Sequence, residues 1–128
     1  MAKSQATPAQ TFGEFFRNKR VRLGFTLRAF CARYGFDPGY ISRIERDLLP
    51  PSLDDEKLTG LARALKIGEN SEEWVLFHDL AYSSKGKLPK DIQKDREAAP
   101  LLPAFFRTMR NSKMDKKKLE ELIGLLNK

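Results

Sequence analysis

The chain has 128 residues, the usual size of one domain plus a short appendage, which excludes an architecture of two large domains. Hydrophobic residues make up 41% and charged residues 32%, so the composition predicts a folded chain with a real core. The net charge of +7 favours a polyanionic partner such as nucleic acid or an anionic membrane surface. Residues 1–46 hold nine basic and three acidic side chains, whereas residues 47–128 hold 15 and 14. We therefore expect the anion-binding surface in the first third.

The sequence excludes two kinds of structural support. Its single cysteine, Cys31, cannot form an internal disulfide, and with the single histidine His78 it offers no Cys/His cluster for zinc.

No apolar run approaches the roughly 18 residues of a membrane span, and MAKSQATPAQ lacks the hydrophobic stretch of a signal peptide. We interpret the protein as soluble, intracellular and cytoplasmic.

Every predicted element is a helix, because no segment shows strand-type alternation or an internal repeat. Residues 1–10 are small and polar and predict a flexible N-terminal tail, with a phosphate-contacting arm as the alternative. Thr11 begins the first helix, since Glu14 stands three residues on as in a capping box. The apolar stripe of this helix ends at Gly24 and is bracketed by Phe12, Phe15, Phe16, Lys19 and Leu23.

The next two helices are short and close together. Thr26 caps a helix from Leu27 to Tyr34, which Gly35 ends in a left-handed position. Asp37 is an N-cap followed by proline, so a third helix runs from there to about Arg46. Two short helices joined by a tight glycine-containing turn form the helix-turn-helix pattern.

The sequence also predicts which residues pack between these two helices. Close crossing of the two helices requires a small side chain, which Cys31 supplies, and we favour core packing over redox sensing for this residue. Ile41 and Ile44 supply the inner stripe of the second helix, which leaves its other face free to contact DNA.

Two further helices complete the module. After a turn at residues 49–52, a fourth helix closes near Gly68, with an inner stripe of Leu58, Leu61, Ala62 and Leu65. Ser71 opens a fifth helix, whose apolar face comprises Trp74, Phe77, His78 and Ala81, widened by Val75 and Leu80. We interpret His78 as a packed histidine in preference to a catalytic base or ligand. The compact unit, residues 11–82, ends near Tyr82.

The rest of the chain predicts a linker and two amphipathic helices. Residues 83–100 mix serine, glycine, proline and alternating charges, which is typical of a linker. We expect residues 101–128 to be a helical dimerisation segment, with folding back onto residues 70–82 as the alternative. Lys116 to Lys118 are interpreted as solvent-facing, or as facing DNA or an acidic partner. The predicted dimerisation residues are Leu119, Leu122, Ile123 and Leu126.

The segment from Lys19 to Leu65 resembles the Cro/CI-type helix-turn-helix family, also called the XRE family. The resemblance lies in four motifs: RVRLGFT from Arg20, YISRIER from Tyr40, PSL from Pro51 and LARAL from Leu61. It implies an all-α fold, a five-helix lambda-repressor-like DNA-binding domain with a short helical C-terminal extension. It also implies a sequence-specific transcriptional regulator, specifically a repressor, from a prokaryote, a phage or another mobile element.

The resemblance also assigns roles to residues. It implies a scaffold pair of Arg20 and Glu45, and it places the third helix in the DNA major groove, where Arg43 is the best candidate for contacting guanine. Asp37 is interpreted as an N-cap, with hydrogen bonding to cytosine as the alternative. The expected base-reading residues are Pro38, Gly39, Tyr40, Ser42 and Arg43. The expected phosphate-binding residues are Arg28, Arg33, Arg46 and, through its backbone, Leu27, which replaces the polar residue typical of the family.

The functional alternatives differ in what the C-terminal helices bind. No nucleophile, carboxylate pair or glycine-rich phosphate loop accompanies His78, so we predict no enzyme activity and no cofactor. The main prediction is a homodimer on a palindromic operator of double-stranded DNA. The alternative is an antitoxin that autoregulates its operon and binds a toxin through these helices, and a protease is a further alternative partner.

Overall fold

A computed structural model describes residues 10–112 and 115–126, and in these residues it contains helices and no strand. The predicted all-α fold is confirmed. The chain forms two compact units, one spanning Ala9–Pro89 and one that includes Lys90–Lys128. The α-helices of the described residues are α1 (Phe12–Arg22), α2 (Leu27–Tyr34), α3 (Pro38–Glu45), α4 (Asp55–Ala64), α5 (Glu72–Ser84), α6 (Lys90–Gln93), α7 (Leu102–Ser112) and α8 (Lys116–Leu126).

Side-chain caps begin the five long helices of the first unit, four of them as predicted. In the capping box of α1, the Glu14 N–H donates to Thr11 Oγ1 at 3.0 Å and the Thr11 N–H donates to Glu14 Oε1 at 2.9 Å. The side chains of Thr26, Asp37 and Ser71 accept hydrogen bonds in the same manner at the starts of α2, α3 and α5. The Asp54 cap of α4, which accepts from the Lys57 N–H at 3.1 Å, was not predicted.

The turn between α2 and α3 depends on Gly35. This residue has a φ of 74°, in the left-handed region that glycine adopts without steric cost. The N–H of Phe36 then donates to the Cys31 carbonyl at 3.0 Å, which closes the end of α2. The turn therefore fixes the angle at which α3 leaves α2.

Phenylalanine rings form much of the core of the first unit. Phe16 of α1 contacts Phe30 of α2 with ring centroids 5.7 Å apart, and Phe12 contacts Phe77 of α5 at 5.1 Å. Cys31 is buried in the same cluster, as core packing predicts. The cluster extends from Phe12 to Tyr82, so all five helices contribute to one core.

Three sequence predictions about this unit need correction. Helix α4 ends at Ala64, not near Gly68, because Lys66 takes the left-handed position with a φ of 62°. Val75 does not widen the apolar face of α5, since it lies on the side opposite Phe77 and is 54% exposed. Helix α5 continues to Ser84, so part of the predicted linker is helical.

The second unit is helical with exposed apolar side chains. The predicted linker also contains α6 and a 3₁₀ turn at Ala99–Leu101, and α7 follows directly. Asp115 caps α8 by accepting from the Lys118 N–H at 2.9 Å. The large exposed apolar residues of this unit are Ile92, Leu101, Phe105, Phe106, Ile123 and Leu125. Across the described ranges, no helix is both long and apolar enough to cross a membrane.

Candidate nucleic-acid interface

Helix α3 has a buried face and an exposed face. Ile41 and Ile44 are buried against α1 and α2, which holds the helix on the body of the domain. On the opposite face, the structure leaves Pro38, Gly39, Arg43 and Arg46 exposed and Ser42 half-buried. Most of the residues expected to read bases thus share one accessible surface.

Tyr40 occupies a different environment from the other expected base-reading residues. Its ring is half-buried against the core, and its hydroxyl accepts a hydrogen bond from the Ser52 N–H at 3.3 Å. The side chain therefore holds the connection between α3 and α4 against the domain. Sequence analysis missed this role, because the pairing joins residues 12 positions apart through a turn of irregular backbone.

Helix α3 is attached to α1 by a buried ion pair. Arg20 Nε lies 2.7 Å from Glu45 Oε2, and Arg20 Nη2 lies 2.8 Å from Glu45 Oε1. The hydrogen bond to Glu45 raises the pKa of Arg20 above its ordinary value, so the guanidinium remains charged. The structure thus brings together the two residues of the expected scaffold pair.

The expected phosphate-binding residues lie in the same domain. Arg28, on α2, is exposed. The Arg33 guanidinium carbon lies 5.6 Å from the centroid of the Tyr34 ring, and Arg46 Nε donates to the Ser42 carbonyl at 3.4 Å. Leu27 packs its side chain against the core while it forms the first residue of α2. Its backbone is therefore the part suited to contact a phosphate.

A contact near the end of α3 was absent from the sequence analysis. Asp47 accepts hydrogen bonds from the Thr11 hydroxyl at 2.6 Å and from the Gly13 N–H at 3.1 Å. Both donors lie at the start of α1. The sequence shows an acidic residue just after one helix and a glycine inside another. It does not show that these two residues contact each other.

His78 and Cys31 occupy packed positions. The Nδ1 atom of His78 lies 2.8 Å from the Trp74 carbonyl, so it donates there, and the ring contacts Trp74 and Phe77. Burial raises the pKa of the Cys31 thiol, which favours the protonated form over the reactive thiolate.

The comparison with protein families agrees with this geometry. Residues 16–70 match the family model described as helix-turn-helix, a range that includes α2, α3 and the Arg20–Glu45 pair. No match was found among curated proteins or among solved structures.

The fold and this match define a helix-turn-helix domain, a class whose members bind DNA. The match confirms the predicted resemblance of this segment to the Cro/CI type, or XRE family, and it supports a DNA-binding transcriptional regulator.

Proposed function

We propose that the protein is a repressor that binds a roughly palindromic operator as a homodimer, with α3 of each protomer in the major groove. The observation that carries this proposal is the position of Arg43. Its side chain is exposed on α3, while the opposite face is buried and Glu45 is paired with Arg20. A guanidinium on a rigidly held helix can donate two hydrogen bonds to O6 and N7 of guanine.

Arg43 supplies most of the base readout in this proposal. Pro38 and Gly39 offer little hydrogen-bonding capacity, and Ser42 is half-buried. The Tyr40 hydroxyl is engaged by Ser52, so only the exposed part of its ring is available to a thymine methyl. The protein therefore discriminates sites by few base contacts together with DNA shape.

Phosphate contacts flank the reading helix in this proposal. Arg28, Arg33 and Arg46 are exposed, and the backbone at Leu27 opens α2, whose positive end favours an anion. The net charge of +6 over residues 1–46 supports the assignment of the DNA-facing surface to this part of the chain. These contacts orient the domain without specifying sequence.

Dimerisation is assigned to the last helix. Helix α8 has 11 residues, too few to be stable in isolation, so its apolar side chains require a covering surface. Leu119 and Leu122 are half-buried and Ile123 is 54% exposed, while the side chain of Leu126 lies outside the described residues. A second copy of α8 is the simplest cover. A two-fold dimer would place two α3 helices about 34 Å apart, one turn of DNA or a multiple of it.

Selection of bound sequences from a random DNA pool tests the proposal. We expect a sequence of two inverted half-sites, with centres about 10 base pairs or a multiple apart, and sedimentation should find two protomers on it. Transcription from a promoter carrying that sequence should fall when the protein is added. A single half-site with one protomer would refute the dimer. A small protein that co-purifies through the C-terminal helices would instead favour the antitoxin.

A further inference from the structure

The turn after α3 makes a second contact with α1, separate from the Arg20–Glu45 pair. Asp47 lies two residues beyond the end of α3, and its carboxylate accepts hydrogen bonds from the Gly13 N–H and the Thr11 hydroxyl. Gly13 is in the first turn of α1, where N–H groups have no partner within the helix. The chain segment that follows the reading helix therefore caps another helix.

At Gly13, the backbone of α1 lies directly on the end of α3. A Cβ atom at this position would be 2.5 Å from the Ile44 carbonyl oxygen and 2.7 Å from that of Glu45. These are backbone atoms and cannot move aside as the tip of a flexible side chain can. Only glycine permits this approach, which brings the positive start of α1 to the negative end of α3.

The backbone of Asp47 supports a specific role for its carboxylate. Its φ is 59°, in the left-handed region where an L residue is strained and glycine is not. Aspartate tolerates this conformation better than most residues because its side chain is short and polar. The two hydrogen bonds to α1 give a physical reason for an acidic residue at a position that glycine would occupy without strain.

We infer that Asp47 is a positioning residue for DNA reading. Asp47 and Glu45 both lie at the C-terminal end of α3, and they contact α1 about two helical turns apart, at Gly13 and Arg20 respectively. Ile41 and Ile44 already hold α3 on the domain. Two polar contacts spaced along α1 restrict the remaining rotation of α3 over that packing more than one contact does, and they therefore restrict the direction of Arg43. This inference rests on the proposed reading role of α3.

The full-length Asp47→Gly variant tests the inference, because glycine keeps the backbone conformation and removes only the carboxylate. Affinity for the selected sequence, relative to random DNA, should fall about tenfold, while affinity for random DNA changes less than about twofold. The unfolding temperature should shift by no more than about 4 °C. In the free protein, the Gly13 amide should exchange its hydrogen faster, since its acceptor is lost.

Two further variants separate positioning from general effects. Asp47→Asn should restore most of the discrimination, because an amide oxygen can accept from Gly13 and the amide group can donate to the Thr11 oxygen. Asn70→Gly is the matched control, since Asn70 is exposed and has a φ of 65° between α4 and α5. It should leave the ratio of the two affinities unchanged.

The outcomes that overturn the inference are distinct. If Asp47→Gly keeps the ratio of the parent protein, the inference is wrong and the proposed function stands. If it lowers the unfolding temperature and both affinities together, Asp47 is merely structural. A parent protein that prefers no sequence would overturn the proposed function, and the inference with it.

Discussion

Arg20 approaches Glu45 with two nearly parallel N–H groups, so the guanidinium and the carboxylate form a bidentate pair. The two residues are 7% and 9% exposed. A third donor, Arg20 Nη1, reaches the Phe25 carbonyl at 2.8 Å. Among the residues that the structure describes, no buried side-chain nitrogen or oxygen lacks a partner. Each charge of the pair therefore depends on the other, because removing either residue leaves a buried charge uncompensated.

Glu45→Ala should lower the free energy of unfolding by about 3 to 5 kcal/mol, since the Arg20 charge would remain buried without its partner. Urea denaturation measures this change. Glu69→Ala is the matched control, because the Arg63–Glu69 pair has side chains that are 67% and 55% exposed. It should cost less than about 1 kcal/mol. Equal effects in the two variants would show that the buried pair does not stabilise the domain.

Arg43→Ala should relax base preference at one operator position. The expected cost is about 1 to 3 kcal/mol on the selected sequence and much less on random DNA, with the fold unchanged. Fluorescence anisotropy with the two DNAs measures the difference. Arg63→Ala removes the same charge from α4, outside the helix-turn-helix, and should not alter base preference. Equal loss on both DNAs with Arg43→Ala would mean that Arg43 contacts only phosphate.

DNA binding should weaken steeply with salt. Each neutralised phosphate contributes about 0.9 to the slope of log affinity against log salt, so three arginines per protomer give about 2.7. Arg28→Ala should reduce this slope by about 1 per protomer, equally for the selected sequence and random DNA. Titrations over a range of salt concentrations supply the slopes. A flat response would contradict the assignment of phosphate contacts to Arg28, Arg33 and Arg46.

Deleting residues 101–128 should leave a folded monomer that binds one half-site weakly. The core cluster of the first unit extends from Phe12 to Tyr82 and loses no member in this deletion. Sedimentation of the full-length and truncated proteins, with and without DNA, measures the effect. If both are monomers off DNA and protect the same footprint, the C-terminal helices do not dimerise.

Cys31 should react slowly with thiol reagents in the folded protein and rapidly in denaturant, because burial keeps its thiol protonated.

The raised pKa of Cys31 has a further consequence for stability. The unfolded chain loses the thiol proton at lower pH than the folded chain does, so stability falls as pH rises above the unfolded pKa. The free energies of unfolding of the parent protein and of Cys31→Ala should therefore converge as pH rises. Parallel curves would contradict the shift.

Local signals made much of the fold predictable. Thr26, Gly35 and Asp37 interact with backbone only a few residues away, so the limits of α2 and α3 follow from nearby sequence. The Phe and Ile stripes identified the core for the same reason, since helical spacing alone places them on one face. Arg20 and Glu45 are 25 residues apart, and only the resemblance to a family suggested their pairing.

Contacts set by tertiary packing were not predictable. The bond from the Ser52 N–H to Tyr40 and the bonds from α1 to Asp47 depend on where separate segments meet in space. The end of α4 was misplaced because glycine is the usual left-handed residue, yet Lys66 occupies that position. Val75 was misassigned because hydrophobicity alone does not specify which face of a helix is buried.

The ring contacts of Phe77 bear on how long a segment must be transferred between genes to keep the core of this domain. The segment that matches the family covers residues 16–70, but Phe77 packs against Phe12 at 5.1 Å and against Phe15 at 6.2 Å. All three rings lie outside the matched segment. A gene fusion that transferred only the recognisable segment would leave its hydrophobic interior open to water on one side. The unit that recombination can move intact is therefore longer than the unit that sequence comparison detects.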